Sequence, residues 1–566
     1  MFNKAVEQTL SRFLAFGSAF TTVFLVTGPV SDPVNVTKLA AAGGLAICVF
    51  SIVLILGGKV LIQDSKWLLL VCALFTVAMI NAIVFSDSPL SQNLYGTSGR
   101  NTAFIFYLMM ALLLISASLL RSTNSFNRLL LALLFAGALN VLYCGWVIAF
   151  GDFIGWSNPY KAILGLFGNP NFVSAFLGMF IAATVAYIFS ANTQIAIRIV
   201  GLVFSLVAFF EILSSRSIQG IGVTFIGLSF VGFYLIRSKT QSVFPRFGYV
   251  LIVSGIGFIG IMGALQKGPL ASLIYKTSIS LRGQYWEAGI RAGLEHPFTG
   301  VGMDSYGDWY RRARTEYAAT VLPGPSTISN AAHNVIADIF SYGGFPLLLS
   351  YLATILLGVI AIVRVTLRSR AFDGTFVALA AAWVCYEAQS IISINQVGLA
   401  IWGWVLVGAL HAYGVSTRSA SVTQEVPTKS RTGKQSQGNT AFFSPQLIGG
   451  IGAVIGVLIA VPPMTSDMRW KSALQSRNVQ NLEKALEPGY LQPPNSAKYA
   501  QAMQLLEQSQ LGDQAYVYAK KGVEFNPDYF DAWKVLYFAS KATEEDKALA
   551  LKNMKRLDPF NPDVLK

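Results

Sequence analysis

Residues 39–58 read LAAAGGLAICVFSIVLILGG, twenty positions without a charge, closed by Lys38 on one side and Lys59 on the other. As a helix rising 1.5 Å per residue this run is about 30 Å long, the thickness of a bilayer's hydrocarbon core. Inside that core a single segment satisfies its own peptide groups only as a helix. The run extends to about 38–62, and similar runs fall near 12–30, 67–86, 102–120, 128–150, 171–190 and 196–214. Others fall near 217–236, 247–265, 333–363, 373–393, 397–415 and 446–463. The expected fold class is all-α, a polytopic transmembrane helical bundle of about 12–13 spans. The first run is too long, and too poor in cleavage signals, for a simple signal peptide. The 333–363 run is long enough to include a helix outside the membrane.

Composition agrees. The 566 residues are 54% hydrophobic and 12% charged, against roughly 25% charged in a soluble domain. Cys48, Cys72, Cys144 and Cys385 all lie inside apolar runs, which argues against a disulfide framework or a thiolate metal site. Only three histidines are present, His296, His333 and His411, so no His-cluster metal site is expected; no cofactor is expected either. The net charge of +14 is spread over short loops. Membrane orientation explains it better than nucleic acid, which is not an expected partner.

With Lys4 and Arg12 cytoplasmic, the inner loops hold Lys59, Lys66, Arg121, Arg128, Arg198, Arg237, Lys239, Arg246, Arg364, Arg368 and Arg370. The short outer loops hold only Lys38, Arg100, Lys161 and Arg216. This positive-inside bias sets the orientation. A membrane domain over 1–415 then carries an extracytoplasmic loop at 266–332. Residues 416–445, rich in Ser, Thr, Gln and Gly with Arg418, Lys429, Arg431 and Lys434, read as a flexible cytoplasmic linker. A last span at 446–463 takes residues 464–566 outside.

In that last region VEFNP (523–527) and KRLDP (555–559) sit 32 residues apart, each like the end of one helical hairpin before the next. The spacing is near the 34-residue tetratricopeptide period, although the full signature is absent. A tetratricopeptide-like helical array is expected, one that binds a protein partner or packs on its own chain.

Four features converge on the outer face: LYGTSGRNTAF (94–104), GNPNFVSAFLGM (168–179), SSRSIQG (214–220), and the long loop. The loop runs SLRGQYWEAGIRAGLEHPFTGVGMDSYGDWY (280–310) and leads into AAHNVIADIFSYGGFPLLL (331–349). An Arg followed by Trp and Ala, then HPFTGVG, then HN at the head of a span followed by GGFPLLL, resembles the O-antigen ligase superfamily. The resemblance is strongest over about 160–350. That superfamily includes O-antigen ligases, some O-antigen polymerases and bacterial protein O-oligosaccharyltransferases.

The resemblance implies transfer of a preassembled glycan from a polyprenyl diphosphate lipid to a hydroxyl, at the outer face of a bacterial cytoplasmic membrane, without nucleotide sugar or metal. The acceptor would be a glycolipid, a glycan or a protein. Arg216 and Arg282 match the family's functional arginines, and His333 its essential histidine. Arg100, Asn169, Asn171 and Asn334 are candidate substrate-binding residues.

The chemistry suits these residue types. Charge builds on a diphosphate leaving group, and a guanidinium fork pairs with phosphate bidentately and stays charged. The acceptor hydroxyl loses a proton, which an imidazole can take near neutral pH. Each assignment has a plain counterpart. An outer-loop Arg also serves as an interfacial anchor, a His or Asn at a helix start as a cap, and Asn169 and Asn171 flank Pro170 where a cap is wanted. Arg311, Arg312 and Arg314 read as a solvated face or a glycan contact, His296 as a loop residue, and His411 as lying near the cytoplasmic end of its span. Glu211, Glu387, Gln389, Asn395 and Gln396 should face the bundle interior. Glu211 either orients Arg216 or bonds between helices.

Other classes fit less well. A secondary transporter would need a midplane site of broken helices and paired repeats, and no internal repeat is evident there. A membrane scaffold would explain the C-terminus but not the Arg and His positions. A nucleotide-dependent enzyme would carry G-x-x-x-x-G-K-[ST] or D-x-D, and neither occurs.

Overall fold

The computed structural model describes residues 3–191, 193–423 and 444–565. Among the described residues helix is the only regular secondary structure, apart from one isolated bridge between Gly489 and Gln492. The bundle is formed by α1 (Lys4–Val23), α2 (Asn35–Val84), α3 (Leu90–Tyr95), α4 (Phe104–Ala117), α5 (Thr123–Phe150), α6 (Pro170–Ile188), α7 (Ile195–Ser214), α8 (Ile218–Lys239) and α9 (Val243–Ala264). Then come the loop helices α10 (Ala271–Ile274), α11 (Thr277–Glu295), α12 (Tyr306–Ala313) and α13 (Glu316–Thr320). The bundle resumes with α14 (Val335–Arg368), α15 (Gly374–Ile392), α16 (Val397–Thr423) and α17 (Pro445–Ala460).

Among the described residues nine helices are long and apolar enough to cross a membrane, or ten if the bent pair over 445–476 counts as one span. That corrects the expected 12–13. Two expected spans fuse in α2, α4 has only 14 residues, and α1 with Lys4, Glu7 and Arg12 is not apolar enough. This is a multi-pass membrane architecture. Large apolar side chains such as Phe210, Phe247 and Phe258 remain exposed on α7 and α9, a surface water would not tolerate.

The 50-residue α2 doubles back at Ser65, whose backbone leaves the helical region. Near that break Asp64 meets Arg121 at 2.9 Å and Ser65 Oγ lies 3.3 Å from His411 Nε2. Both limbs return to the other end of the bundle, where Asn35 donates to the Gly99 carbonyl and Ser86 to that of Val301. The bundle therefore has two chemically distinct ends. At the basic end Arg128 reaches Ser11, and Arg237 and Arg368 bond carbonyls of neighbouring helices. The loop end carries residues 266–332 and the C-terminal helices.

Glycine sets one decisive packing contact. A Cβ on Gly456 would lie 2.1 Å from the Gly43 carbonyl oxygen, and one on Gly43 would lie 2.7 Å from that of Gly456. The Gly452, Gly456, Ala460 row thus seats α17 directly on α2, as small residues do between apolar helices. Helix α16 continues to Thr423, and residues 424–443 of the expected linker lie outside the described residues.

Beyond α17 lie α18 (Pro462–Ser476), α19 (Val479–Leu486), α20 (Ser496–Gln508), α21 (Gly512–Phe525), α22 (Phe530–Tyr537), α23 (Glu544–Leu557) and α24 (Pro562–Leu565). Trp470, Met503, Ala519, Trp533, Leu536 and Leu557 form part of their shared core. Thr543 and Asp546 start α23 with a reciprocal capping box. Helices α20 with α21, and α22 with α23, pack as consecutive pairs.

Candidate functional site

The site is built where two sequence motifs meet. Helix α14 breaks at Gly343 and Gly344, which frees carbonyls that need donors. The segment 296–302, HPFTGVG, supplies them: Val301 N donates to Ser341 O at 2.8 Å and Gly302 N to Tyr342 O at 3.1 Å. In return Phe345 N donates to Pro297 O at 2.7 Å. Gly344 sits at φ +61°, and a Cβ there would lie 2.3 Å from the Pro297 carbonyl oxygen. The loop is therefore stitched onto the head of α14. His296 serves that junction, with its carbonyl accepting from Gly300 N and its ring edge-on to Trp309 at 4.8 Å.

His333 lies just before the cap of α14, at φ +56°, a left-handed conformation in which His is among the few tolerated side chains. Asn334 caps the helix by accepting from Ile336 N and Ala337 N, at 2.9 and 3.2 Å. Asp338, one turn on, accepts from Ala332 N at 2.7 Å and so holds the other flank. The imidazole is half-buried against the Tyr285 ring at 5.6 Å, and Trp286 Nε1 donates to the His333 carbonyl at 3.4 Å. Neither ring nitrogen has a hydrogen-bond partner among the described residues. Burial, and then the charges of Arg282 and Arg100, pull the imidazole down to about 4. It is neutral at physiological pH and able to accept a proton.

Arg282, Tyr285 and Trp286 share one face of α11 at helical spacing. Arg282 is half-buried with no carboxylate and no hydrogen-bond partner among the described residues, and burial lowers its pKa. Arg216 stands exposed in the α7–α8 turn at φ +56°. Lys276, which precedes α11, donates to the Arg216 carbonyl. This ties the turn to the start of the helix carrying Arg282, six residues or about 9 Å of rise further on. Ser217 Oγ donates to Asn171 Oδ1 at 2.8 Å, so the head of α6 joins the same turn. Asn169 caps α6 and donates to the Tyr160 hydroxyl at 3.1 Å.

The remaining arginines fall elsewhere. Arg100 is buried, donating to the Asn330 carbonyl and to Tyr342 at 3.0 Å, with Asp304 at 3.5 Å and Asp338 at 3.8 Å. Its guanidinium is taken up by the protein, and it braces the chain just before His333. The reading of Arg311, Arg312 and Arg314 as a solvated face or a glycan contact is corrected. They pair with Asp558 and Asp528 of the C-terminal helices at 2.8–3.0 Å. Glu211 does not orient Arg216: it is buried beside α5 with neither oxygen bonded. Gln389, Asn395 and Gln396 are buried in the bundle as expected, with Asn395 bridging Tyr107 and Tyr386 at 3.0 and 2.9 Å.

Sequence reasoning missed Lys276, Tyr285, Asp304, Asp338 and Tyr342. Four of the five lie inside the stretches quoted above, but their partners are far along the chain. No protein-family model, no curated protein and no solved structure matches this chain.

Proposed function

We propose that this protein is a membrane glycosyltransferase of O-antigen ligase type. It moves a preassembled glycan from a polyprenyl diphosphate carrier to an acceptor hydroxyl, at the extracytoplasmic face of a bacterial cytoplasmic membrane. The observation that carries the reading is the pairing of Arg282, a half-buried cation without an anion among the described residues, with His333, a neutral imidazole within its field. A half-buried cation left unpaired is costly unless a ligand completes it. A diphosphate is the ligand a guanidinium fork suits best.

In this reaction the acceptor oxygen bonds to the anomeric carbon while the bond from that carbon to the phosphate oxygen breaks. The electron pair leaves on the diphosphate, which Arg282 and Arg216 neutralise. The acceptor proton passes to a ring nitrogen of His333. Donor binding readies that nitrogen, because the incoming negative charge offsets the arginine fields that depress its basicity. The loop end then faces outward and the basic end the cytoplasm. The consecutive pairs over 496–557 form a tetratricopeptide-like array. The acceptor is a glycolipid, a growing glycan or a protein.

Purified protein in lipid nanodiscs, given polyprenyl-diphosphate glycan as sole donor, should transfer it in excess EDTA. A requirement for a nucleotide sugar, or inhibition reversed by a divalent ion, would sink the reading. Glycan analysis of the cell surface with and without the gene identifies the acceptor. Impermeant cysteine labelling of intact cells should reach both 266–332 and the C-terminal helices. Labelling of either region only after lysis would overturn the orientation.

A further inference from the structure

We propose that the C-terminal helices are a positioning element for this site, acting through Asp558 and Arg314 on His333. The catalytic part of the proposal rests on the transferase reading; the mechanical part does not.

The contact is made by equivalent positions of the two related turns. Asn526 of VEFNP donates to Asp308 at 3.1 Å, and Asp558 of KRLDP takes Arg311 at 3.0 Å and Arg314 at 2.8 Å. Thus two turns 32 residues apart grip α12 and the residue that ends it. Arg314 and Asp558 are fully buried, with Arg314 NH2 within 2.8 Å of both carboxylate oxygens. A desolvated pair with this geometry is rigid, because neither partner has water to turn to.

From Arg314 two routes reach His333. On one side its guanidinium lies 6.0 Å from the Tyr310 ring, Tyr310 is edge-on to Tyr285 at 5.6 Å, and Tyr285 lies against His333 at 5.6 Å. Tyr306, also on α12, donates to the Tyr285 carbonyl at 2.9 Å, which locks α12 to α11. On the other side Arg314 donates to the carbonyls of Gly324, Pro325 and Thr327. Those residues lead to Asn330, held by Arg100, and then to His333. Among the described residues the imidazole has no side-chain hydrogen bond to orient it, so these two flanks set its place. Asp558, Arg314 and Tyr310 are positioning residues, and none of them is expected to touch substrate.

The experiment uses the full chain in nanodiscs with polyprenyl-diphosphate glycan as the probe. Asp558→Asn keeps the shape and removes the charge. It should lower kcat about tenfold or more, leave donor Kd within about twofold, and move the acid limb of the pH profile upward as water reaches His333. Amide exchange across 282–295 and 324–336 should quicken. Asp558→Glu should recover part of both effects, and Asp513→Asn, at an exposed pair in the same helices, should change neither. Tyr310→Leu breaks the ring route while leaving the Arg314–Asp558 contact itself in place and should lower kcat with the helices still docked. This second variant decides the matter if Asp558→Asn fails to fold. Normal kcat and normal exchange near His333 in Asp558→Asn or in Tyr310→Leu would overturn the positioning role while the transferase reading stood. If wild-type protein transfers nothing, that reading fails, and exchange alone judges the mechanical link: quickened exchange supports it and unchanged exchange overturns it.

Discussion

The loop end holds two groups of arginines, and they are finished in opposite ways. Around 311–314 every guanidinium closes on a carboxylate of the C-terminal helices, and Arg314 is fully buried with Asp558. At 216 and 282 no carboxylate comes near among the described residues, although Arg282 is half-buried as well. In sequence the two groups look alike, cations in segments between apolar runs. The difference teaches that charge alone does not mark a binding residue. What sets Arg282 apart is desolvation that the described residues leave uncompensated, whereas Arg216 is exposed.

The contrast can be broken first at the histidine that sits beside the open group. His333→Ala should cut turnover by about 10²–10⁴-fold, the usual range for losing a general base, with donor binding nearly intact. Transfer rates and donor binding on the same preparation check this. A matching loss of donor binding would make His333 a phosphate ligand instead. Full activity would remove it from the site.

The next largest effect belongs to the closed group. Arg314→Met leaves Asp558 buried without a cation and should cost about 3–5 kcal/mol of the stability of the docked C-terminal helices. Arg282→Met leaves no stranded carboxylate and should cost almost nothing in thermal denaturation. Equal losses in both variants would erase the distinction drawn above.

Arg282→Lys and Arg216→Lys sharpen it further. Each keeps the charge but loses the fork, so transfer should fall about 10–100-fold if the contact is bidentate and charge-assisted. Insertion and expression should be unchanged. Normal transfer by both variants would reassign these residues to interface anchoring.

A smaller effect is expected in the pH profile. A base must be neutral, so activity is present above its pKa and lost as pH falls through it. Burial and the charges of Arg282 and Arg100 pull His333 down to about 4, so the acid limb of kcat/KM should lie near that pH. The limb of kcat should lie higher, because bound diphosphate favours the protonated ring. Coincident limbs would mean the diphosphate does not sit in the histidine's field. The smallest effect is a control: Arg291, paired on the surface with Glu287 at 2.8 Å, should change stability by less than about 0.5 kcal/mol when made Ala.

Much of this architecture was legible in the sequence because it rests on local properties. Apolar run length locates helices, so each expected span falls on one. Lys and Arg sorting separates the two ends, and Arg121, Arg128, Arg237 and Arg368 do share one of them. HN (333–334) marked the head of a span, and Asn334 does cap α14, since a cap residue acts on local backbone geometry. Pairing across the chain was not legible. The fold-back of α2 at Ser65, the stitching of 296–302 across the break in α14, and the closure of Arg314 on Asp558, 244 residues away, depend on which surfaces meet in space. Arg100 and Arg282 carry the same charge in the same kind of loop. Only the tertiary structure buried one among Asp304, Asp338 and Tyr342 and left the other without an anion among the described residues, because partners so distant in sequence are chosen by packing and not by spacing.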